Sequence, residues 1–297
     1  VWSALCSCCL AYYDYVWMGA QGGIKMKRVT LIWVILCLLL MGALMQACGG
    51  RERDDEHEEA LMTITVIYDN YEYDPRLTTA WGFSCLIEGL EETVLFDTGG
   101  DSTILLNNLS LLGIDPSGID VIVLSHIHGD HVGGLFGLLA ENSAVKVILP
   151  ESFPRDFKDE VRAFGAELIE VHEQMEICNG VYSTGELGSG IKEQSLVIKT
   201  KEGSVVITGC AHPGVVNIVR KAKTLLDTQI YLVMGGFHML GMSKSQIKTV
   251  IAQFKEEGVQ KVGPCHCSGD LTRELFQEVY GENFIEAGAG KIVELER

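Results

Sequence analysis

The run Ser125-His126-Ile127-His128-Gly129-Asp130-His131 places four potential metal ligands within six residues. Imidazole nitrogen and carboxylate oxygen together suit Zn²⁺, with Mn²⁺ or Fe²⁺ as alternatives. In an extended stretch His126 and His128 face the same side and can chelate one ion. Gly129 lets the backbone bend, so Asp130 and His131 turn toward a neighbouring position as a helix begins. Four ligands in six residues cannot all serve one tetrahedral ion. The chain has eight histidines, and six of them (His126, His128, His131, His212, His238 and His266) fall in turn contexts directly after a predicted strand. Core histidines do not normally gather at strand ends, whereas ligands in open sheets bind there. The chemistry expected is hydrolysis by a metal-bound hydroxide, because water bound to zinc ionises near about pH 7. Asp130 would help to orient that hydroxide.

Elements of α/β type must position these groups. Residues 61–68 alternate and are β-branched, which predicts a strand. A polar, aromatic loop over 69–80 precedes a hairpin of 81–88 and 92–96 about Gly89. Helical patterns cover 101–112, 133–141, 154–164, 214–226, 243–257 and 270–280. Strands are expected at 119–125, 145–149, 166–171, 180–184, 195–200, 203–208, 229–236, 261–263 and 290–295. Hairpins followed by alternating strands and helices imply mixed sheets covered by helices.

Other chemistry-bearing residues carry weaker signals. Tyr71 and Arg76 lie in the loop after the first strand, where an aromatic can stack a ring and a guanidinium can clamp an anion. Alternation along an extended chain turns Cys265 and Cys267 away from the side that His266 uses, so both are expected to pack as small apolar groups, as is Cys210. A surface position is expected for His172. The spacings GxGxxG and GxxxxGKS are absent, so no nucleotide fingerprint is present.

Composition sets the class. The 297 residues are 47% hydrophobic, enough for one sizeable core or at most two domains. The net charge is −17, which disfavours a nucleic-acid partner. Lys25, Lys27 and Arg28 stand against Asp14 in the first 48 residues, so the remainder is more acidic still, at −19. Five scattered cysteines after residue 60 do not make a disulfide framework. Residues 1–25 have no usable pattern and read as translated leader sequence rather than native protein. Met26-Lys27-Arg28 opens a secretory-type signal over 26–48, with no charge from Val29 to Met45. Leu44-Met45-Gln46-Ala47-Cys48 resembles a bacterial lipobox, although Gln46 is a less usual residue there. That likeness implies lipid on Cys48 and an extracytoplasmic, membrane-anchored protein; an uncleaved anchor or a secreted form are the alternatives. Residues 49–60 form a charged linker in which His57 is solvated.

The pattern HxHxDH after an apolar strand resembles the metallo-β-lactamase superfamily, and the likeness covers 61–297. Leu95-Phe96-Asp97-Thr98-Gly99-Gly100 resembles its first motif, and Thr208-Gly209-Cys210-Ala211-His212-Pro213-Gly214 the segment with the third histidine. Gly235-Gly236-Phe237-His238 and Pro264-Cys265-His266-Cys267-Ser268-Gly269 stand at the fourth and fifth. With Asp69-Asn70, the set is similar to the branch of dihydropterin-ribofuranosyl-aminobenzene-phosphate synthases and related metal-dependent hydrolases. The resemblance implies a four-layer αββα sandwich with a two-metal cleft. It assigns His126, His128 and His212 to one ion and Asp130, His131 and His266 to the other, with Asp97 orienting the ligands from behind. Many relatives bridge the metals with an Asp where this chain offers His238, and a neutral imidazole has one free lone pair and cannot bridge. His238 is left to bind one ion, to act as a general acid or to contact substrate; the last two are favoured. The expected activity is hydrolysis of an ester-like or phosphoester-like small molecule. The alternatives are synthase-type condensation and a lipoprotein that binds metal or ligand without turnover.

Overall fold

The computed structural model describes residues 61–297; the expected leader, signal, linker and Cys48 lie outside them. Two sheets form the centre. The first runs β13 (Ile292–Glu296), β1 (Leu61–Tyr68), β2 (Ser84–Glu88), β3 (Val94–Phe96), β4 (Val121–Val123), β5 (Lys146–Pro150), β6 (Glu167–Val171). The second runs β12 (Lys261–Cys265), β11 (Ile230–Gly236), β10 (Ser204–Thr208), β9 (Leu196–Lys199), β8 (Val181–Ser183), β7 (Met175–Cys178).

Strand periodicity sorts the core into layers. Met62, Ile64 and Val66 of β1 meet Val205, Ile207, Leu232 and Met234 of β10 and β11 between the sheets. The alternate residues face outward. Ile67, Leu86 and Leu95 pack against helices α1 (Ser102–Leu111), α3 (Leu135–Glu141) and α4 (Arg155–Ala163). Val206 and Val233 pack against α5 (Val215–Leu226), α6 (Lys244–Glu257) and α7 (Asp270–Tyr280). The four layers are therefore helix, sheet, sheet, helix, the expected αββα sandwich. Both faces of each sheet are covered, which is why the central strands are continuously apolar. Helix ends follow local chemistry: Asp101 caps α1 by accepting from Ile104 N–H, and Ser243 with Gln246 closes a capping box on α6.

The departures from expectation have local causes. The helix expected over 133–141 arrives as a short turn, α2 (Gly129–Val132), and then α3. Gly133 and Gly134 separate them because the chain passes close to its own backbone. A Cβ at Gly134 would lie 2.1 Å from the Thr98 carbonyl oxygen. Strand β4 is shorter than 119–125, since the Ser125 N–H bonds the Asp97 carboxylate instead of a neighbouring strand. β12 continues through Pro264, which the edge position tolerates. β7 escapes the sequence reading because it is an edge strand with half-exposed, charged residues. Among the described residues no helix is long and apolar enough to cross a membrane.

Phe254 is fully buried with its ring 5.7 Å from Phe237 and 5.5 Å from Phe276. Replacing it with Ala is expected to cost about 3–5 kcal/mol, measured by equilibrium denaturation.

Candidate metal centre

The carboxyl ends of β1, β3, β4, β10, β11 and β12 open onto one place. They deliver Asp69-Asn70, Asp97, Ser125-His126, Cys210-His212, His238 and His266 respectively. Five non-glycine residues have a left-handed backbone among the described ones, and four are here: Asp97 (φ 57°), Ala211 (63°), His238 (53°) and His266 (47°). Such conformations cost about 1–3 kcal/mol each and persist where the surroundings fix them.

All six expected ligands converge. His126 Nε2 lies 3.1 Å from His128 Nδ1, and the His212 ring is 4.8 Å from that of His126 and 4.9 Å from that of His128. Beside them, Asp130 Oδ2 is 3.3 Å from His266 Nε2 and 3.7 Å from His131 Nε2. The structure thus brings together in space the residues of the two sets that the resemblance implies.

Hydrogen bonds behind the rings set which nitrogen faces inward. Ser125 Oγ donates to Asp97 Oδ2 (2.7 Å) and therefore accepts from His126 Nδ1 (2.9 Å), which leaves the His126 Nε2 lone pair free. His131 Nδ1 donates to the same Asp97 oxygen at 2.7 Å. His266 Nδ1 donates to Asn70 Oδ1 at 3.1 Å, and the Asn70 amide donates to the His266 carbonyl at 3.4 Å. Asp97 thus orients two rings, one directly and one through Ser125, as expected. Asp69 is buried behind His266, accepts from Tyr71 N–H, and is pushed up to about 6 by burial.

Burial and the neighbouring imidazoles hold His126 far below its ordinary value. Burial, with His238 and His128 nearby, lowers His212 to about 4. Both rings are neutral near pH 7 and so available as ligands. Burial resists charge on Asp130, but the His266 hydrogen bond and the His131 charge outweigh it and keep the carboxyl below the usual range. His131 is raised, because Asp97 and Asp130 more than offset its burial.

The residues fit a pair of cations. His212 Nε2 is buried without a hydrogen-bond partner, and His126 Nε2, which accepts from His128 Nδ1 at 3.1 Å, can turn the same lone pair to an ion. A positive centre satisfies all of these donors at once.

Several residues that sequence reasoning discounted or missed stand here. Chain alternation does not hold at Cys267, because 266–268 form a turn of 3₁₀ helix. Its sulfur turns toward Cys210 and His238, whose N–H donates to it at 3.3 Å. Cys267 is drawn down by its hydrogen bond to Cys210 against the effect of burial, and Cys267 in turn raises His238. Cys210 is not simply packing either, since its Sγ lies 3.2 Å from His131 Nε2. Cys265 is buried in the core between the sheets, as expected. Glu193, fully buried, accepts from the N–H groups of Cys210, Ala211 and His212 at 2.8–2.9 Å and aims that turn; burial pushes its carboxyl up to about 7. No motif marks Glu193 in the sequence.

The expected substrate contacts are corrected. Arg76 is exposed and its guanidinium is held by Asp74 at 2.5 Å, so it clamps no anion at the cleft. Tyr71 donates its hydroxyl to Asp270 at 2.9 Å, with Arg273 stacked on its ring. The aromatic at the cleft is Trp81, half exposed with its ring 4.8 Å from His266. His238 is exposed, its ring 4.3 Å from that of His212. His172 is a surface residue beside Glu151 and Glu186, as expected. A cavity of about 310 Å³ opens beside His212 and His238, walled by Val215, Phe237, Met239 and Met242.

A family model described as the metallo-β-lactamase superfamily matches residues 82–245. The chain belongs to that superfamily. Its relatives include the 7,8-dihydropterin-6-methyl-4-(β-D-ribofuranosyl)-aminobenzene-5'-phosphate synthase of Methanocaldococcus jannaschii. That protein is 28% identical over 278 residues, which are 77% of this chain and 95% of the relative. Among solved structures, Tm1679, a metal-dependent hydrolase of the β-lactamase superfamily, superposes with a TM-score of 0.67 at 29% identity, covering 80% of this chain and all of that one. A diphosphatase from the PhnP family shares the fold, with a TM-score of 0.56 at 18% identity over 80% of this chain and 98% of that one. The superfamily setting accounts for the metal-ligand groups and for their place at the strand ends.

Asp97→Ala removes the acceptor for His131 and Ser125. Zinc affinity is expected to fall about 10–100-fold, read by competition with a chromophoric chelator.

Proposed function

We propose that this chain is a hydrolase of ester-like or phosphoester-like small molecules, dependent on two divalent ions, most simply Zn²⁺. The observation that carries the reading is the convergence of two ligand groups around a buried, unpartnered His212 Nε2. His126, His128 and His212 would hold one ion, and Asp130, His131 and His266 the other. Ions bound there supply a Lewis acid for the scissile oxygen and water that ionises near about pH 7.

The chain's own residues do the rest. Asp97, Ser125 and Asn70 keep the imidazole lone pairs pointed inward, so no reorganisation is needed as charge develops. Asp130, held ionised, is also placed to orient the attacking water. His238 stands beside the ligand groups at the exposed side, and Cys267 keeps its proton in place. It is positioned to give a proton to the leaving group. Trp81, Leu240 and Met242, all exposed apolar side chains, line a hollow that also includes His238. Arg220, at the neighbouring cavity, is tied to Glu257 at 2.7 Å. These surroundings favour a substrate with an apolar group near the scissile bond.

A condensation of the synthase type is the second reading, supported by an alignment that spans 95% of the pterin-phosphate relative. The location we propose is extracytoplasmic, with lipid on Cys48. It rests on the uncharged run Val29–Met45 and the small residues Ala47, Gly49 and Gly50 around Cys48. Labelling with a fatty-acid analogue tests it: Cys48→Ser should abolish the label.

Chelation should abolish turnover of lactones, thioesters, phosphodiesters or sulfate esters, and added Zn²⁺ should restore it. His126→Ala should lower kcat/KM about 10³-fold. His238→Ala should lower kcat about 10²–10⁴-fold for substrates with poor leaving groups and spare those whose leaving group needs no proton. Uniform loss across leaving groups would remove the acid role. Metal-free protein that turns over unchanged would remove the whole reading.

A further inference from the structure

Glu193 and Gln194, close before β9, are fully buried, and their side chains grip opposite sheets. Glu193 holds the second sheet. Its Oε1 accepts from the N–H groups of Cys210 and Ala211 at 2.9 and 2.8 Å, and its Oε2 from that of His212 at 2.8 Å. Gln194 holds the first. Its backbone N–H donates to the Ser125 carbonyl at 3.0 Å, and its side-chain amide donates to the carbonyls of Leu124 at 2.9 Å and Ile148 at 3.4 Å. The amide oxygen accepts from Ser183 Oγ at 2.5 Å, so both ends of that amide are used.

One residue of the pair thus fixes the turn that carries His212, and the next fixes the point where His126 leaves the first sheet. Those two points press on each other, for a Cβ at Gly209 would lie 2.1 Å from Ser125 Oγ. Regular strand pairing has already ended there, since β4 stops at Val123 and β10 at Thr208. Past the strand ends the buried backbone is held by side chains instead of a ladder. Ser125 is tied to Asp97 through its N–H and hydroxyl, and Gln194 takes its carbonyl. The other ligand set has a crossing of its own. Asn70, after β1, exchanges two hydrogen bonds with His266, after β12.

We propose that Glu193 and Gln194 are positioning residues for the ion of His126, His128 and His212, a buried clasp across the sheets that sets how far His212 stands from His126. The proposal rests on the metal-dependent reading above. Metal–ligand distances hold to within about 0.2 Å, so a small slip between the sheets is enough to lose His212 as a ligand. Glu193→Gln keeps the side-chain volume but turns amide hydrogens against backbone N–H groups. Gln194→Met keeps the length and removes the amide.

Zinc competition against a chromophoric chelator tests it, on the full chain in two backgrounds. His266→Ala leaves the set of His126, His128 and His212 complete, and His128→Ala leaves the set of Asp130, His131 and His266 complete. In the first background Glu193→Gln or Gln194→Met should weaken zinc binding about 10–100-fold. In the second the same changes should alter it by no more than about twofold, and Asn70→Ala should show the reverse pattern. Equal weakening in both backgrounds, or none in either, marks a merely structural role; it overturns the proposal and leaves the hydrolase reading intact. Backbone hydrogen exchange on metal-free wild type decides the matter should the variants not fold or not bind zinc. The N–H groups of residues 210–212 should exchange slowly before zinc is added. Fast exchange that only zinc suppresses means that the metal holds the turn, and overturns the proposal. A wild-type chain that takes up no zinc overturns both the proposal and the hydrolase reading.

Discussion

Lone pairs aimed at one another repel, and this site brings several of them into one small space. His126, His131 and His266 each spend their Nδ1 proton on a partner behind the ring, so each presents a bare Nε2 forward. Asp130 adds a carboxylate and His212 an unpartnered nitrogen. Such an arrangement is unfavourable in an empty protein and becomes favourable only with positive charge between the donors. Much of the surrounding structure is accounted for by the need to hold that geometry. Four left-handed residues, a buried carboxylate clamped on three backbone N–H groups, and glycines pressed against neighbouring backbone all lie within one turn of a ligand. The two apolar sheets supply the stability against which this strain is set.

The sandwich is what makes the convergence possible. Neither sheet alone could surround an ion, since each presents a row of strand ends along one edge. Packing two sheets face to face brings His126 and His131, after β4 of the first, against His212 and His266, after β10 and β12 of the second. Asp69 and Asn70, after β1, support a histidine of the opposite sheet. Loss of inter-sheet packing would therefore separate the ligands before it unfolded either sheet.

Legibility in the sequence followed the range of the interaction. The ligands of 125–131 were readable because four of them share one turn, and periodicity marked most strands that end in a histidine. Asp97 was readable only through the resemblance, since its partners are 28 and 34 residues away. Glu193 was not readable, because its role depends on backbone N–H groups that no spacing encodes, and the nearness of Cys210 to His131 depends on a distance across the sheets. Cys267 was misread for a narrower reason: two-residue alternation presumes an extended chain, and Gly269 with the 3₁₀ turn before it breaks that premise. Tyr71 and Arg76 failed differently. The sequence shows that such side chains can bind a ring or an anion, but not that Asp270 and Asp74 already occupy them.

The acidity of the chain gains a physical sense from the same geometry. A net charge of −17 would repel an anionic substrate unless something local reversed the field. Arg76 and Arg220, two cations that might have done so, are bonded to Asp74 and Glu257. Two divalent ions, once bound, would then be the main positive charge in the cleft, and each anionic ligand would reduce it. Asp130 would neutralise part of that charge. On the proposed hydrolase function, a cleft so compensated, bordered by Trp81, Leu240 and Met242, would attract multiply charged phosphates weakly and suit neutral, apolar acyl or aryl groups. Under that proposed function, charge balance favours carboxylic esters, lactones and thioesters over phosphomonoesters, independently of which relatives share the fold.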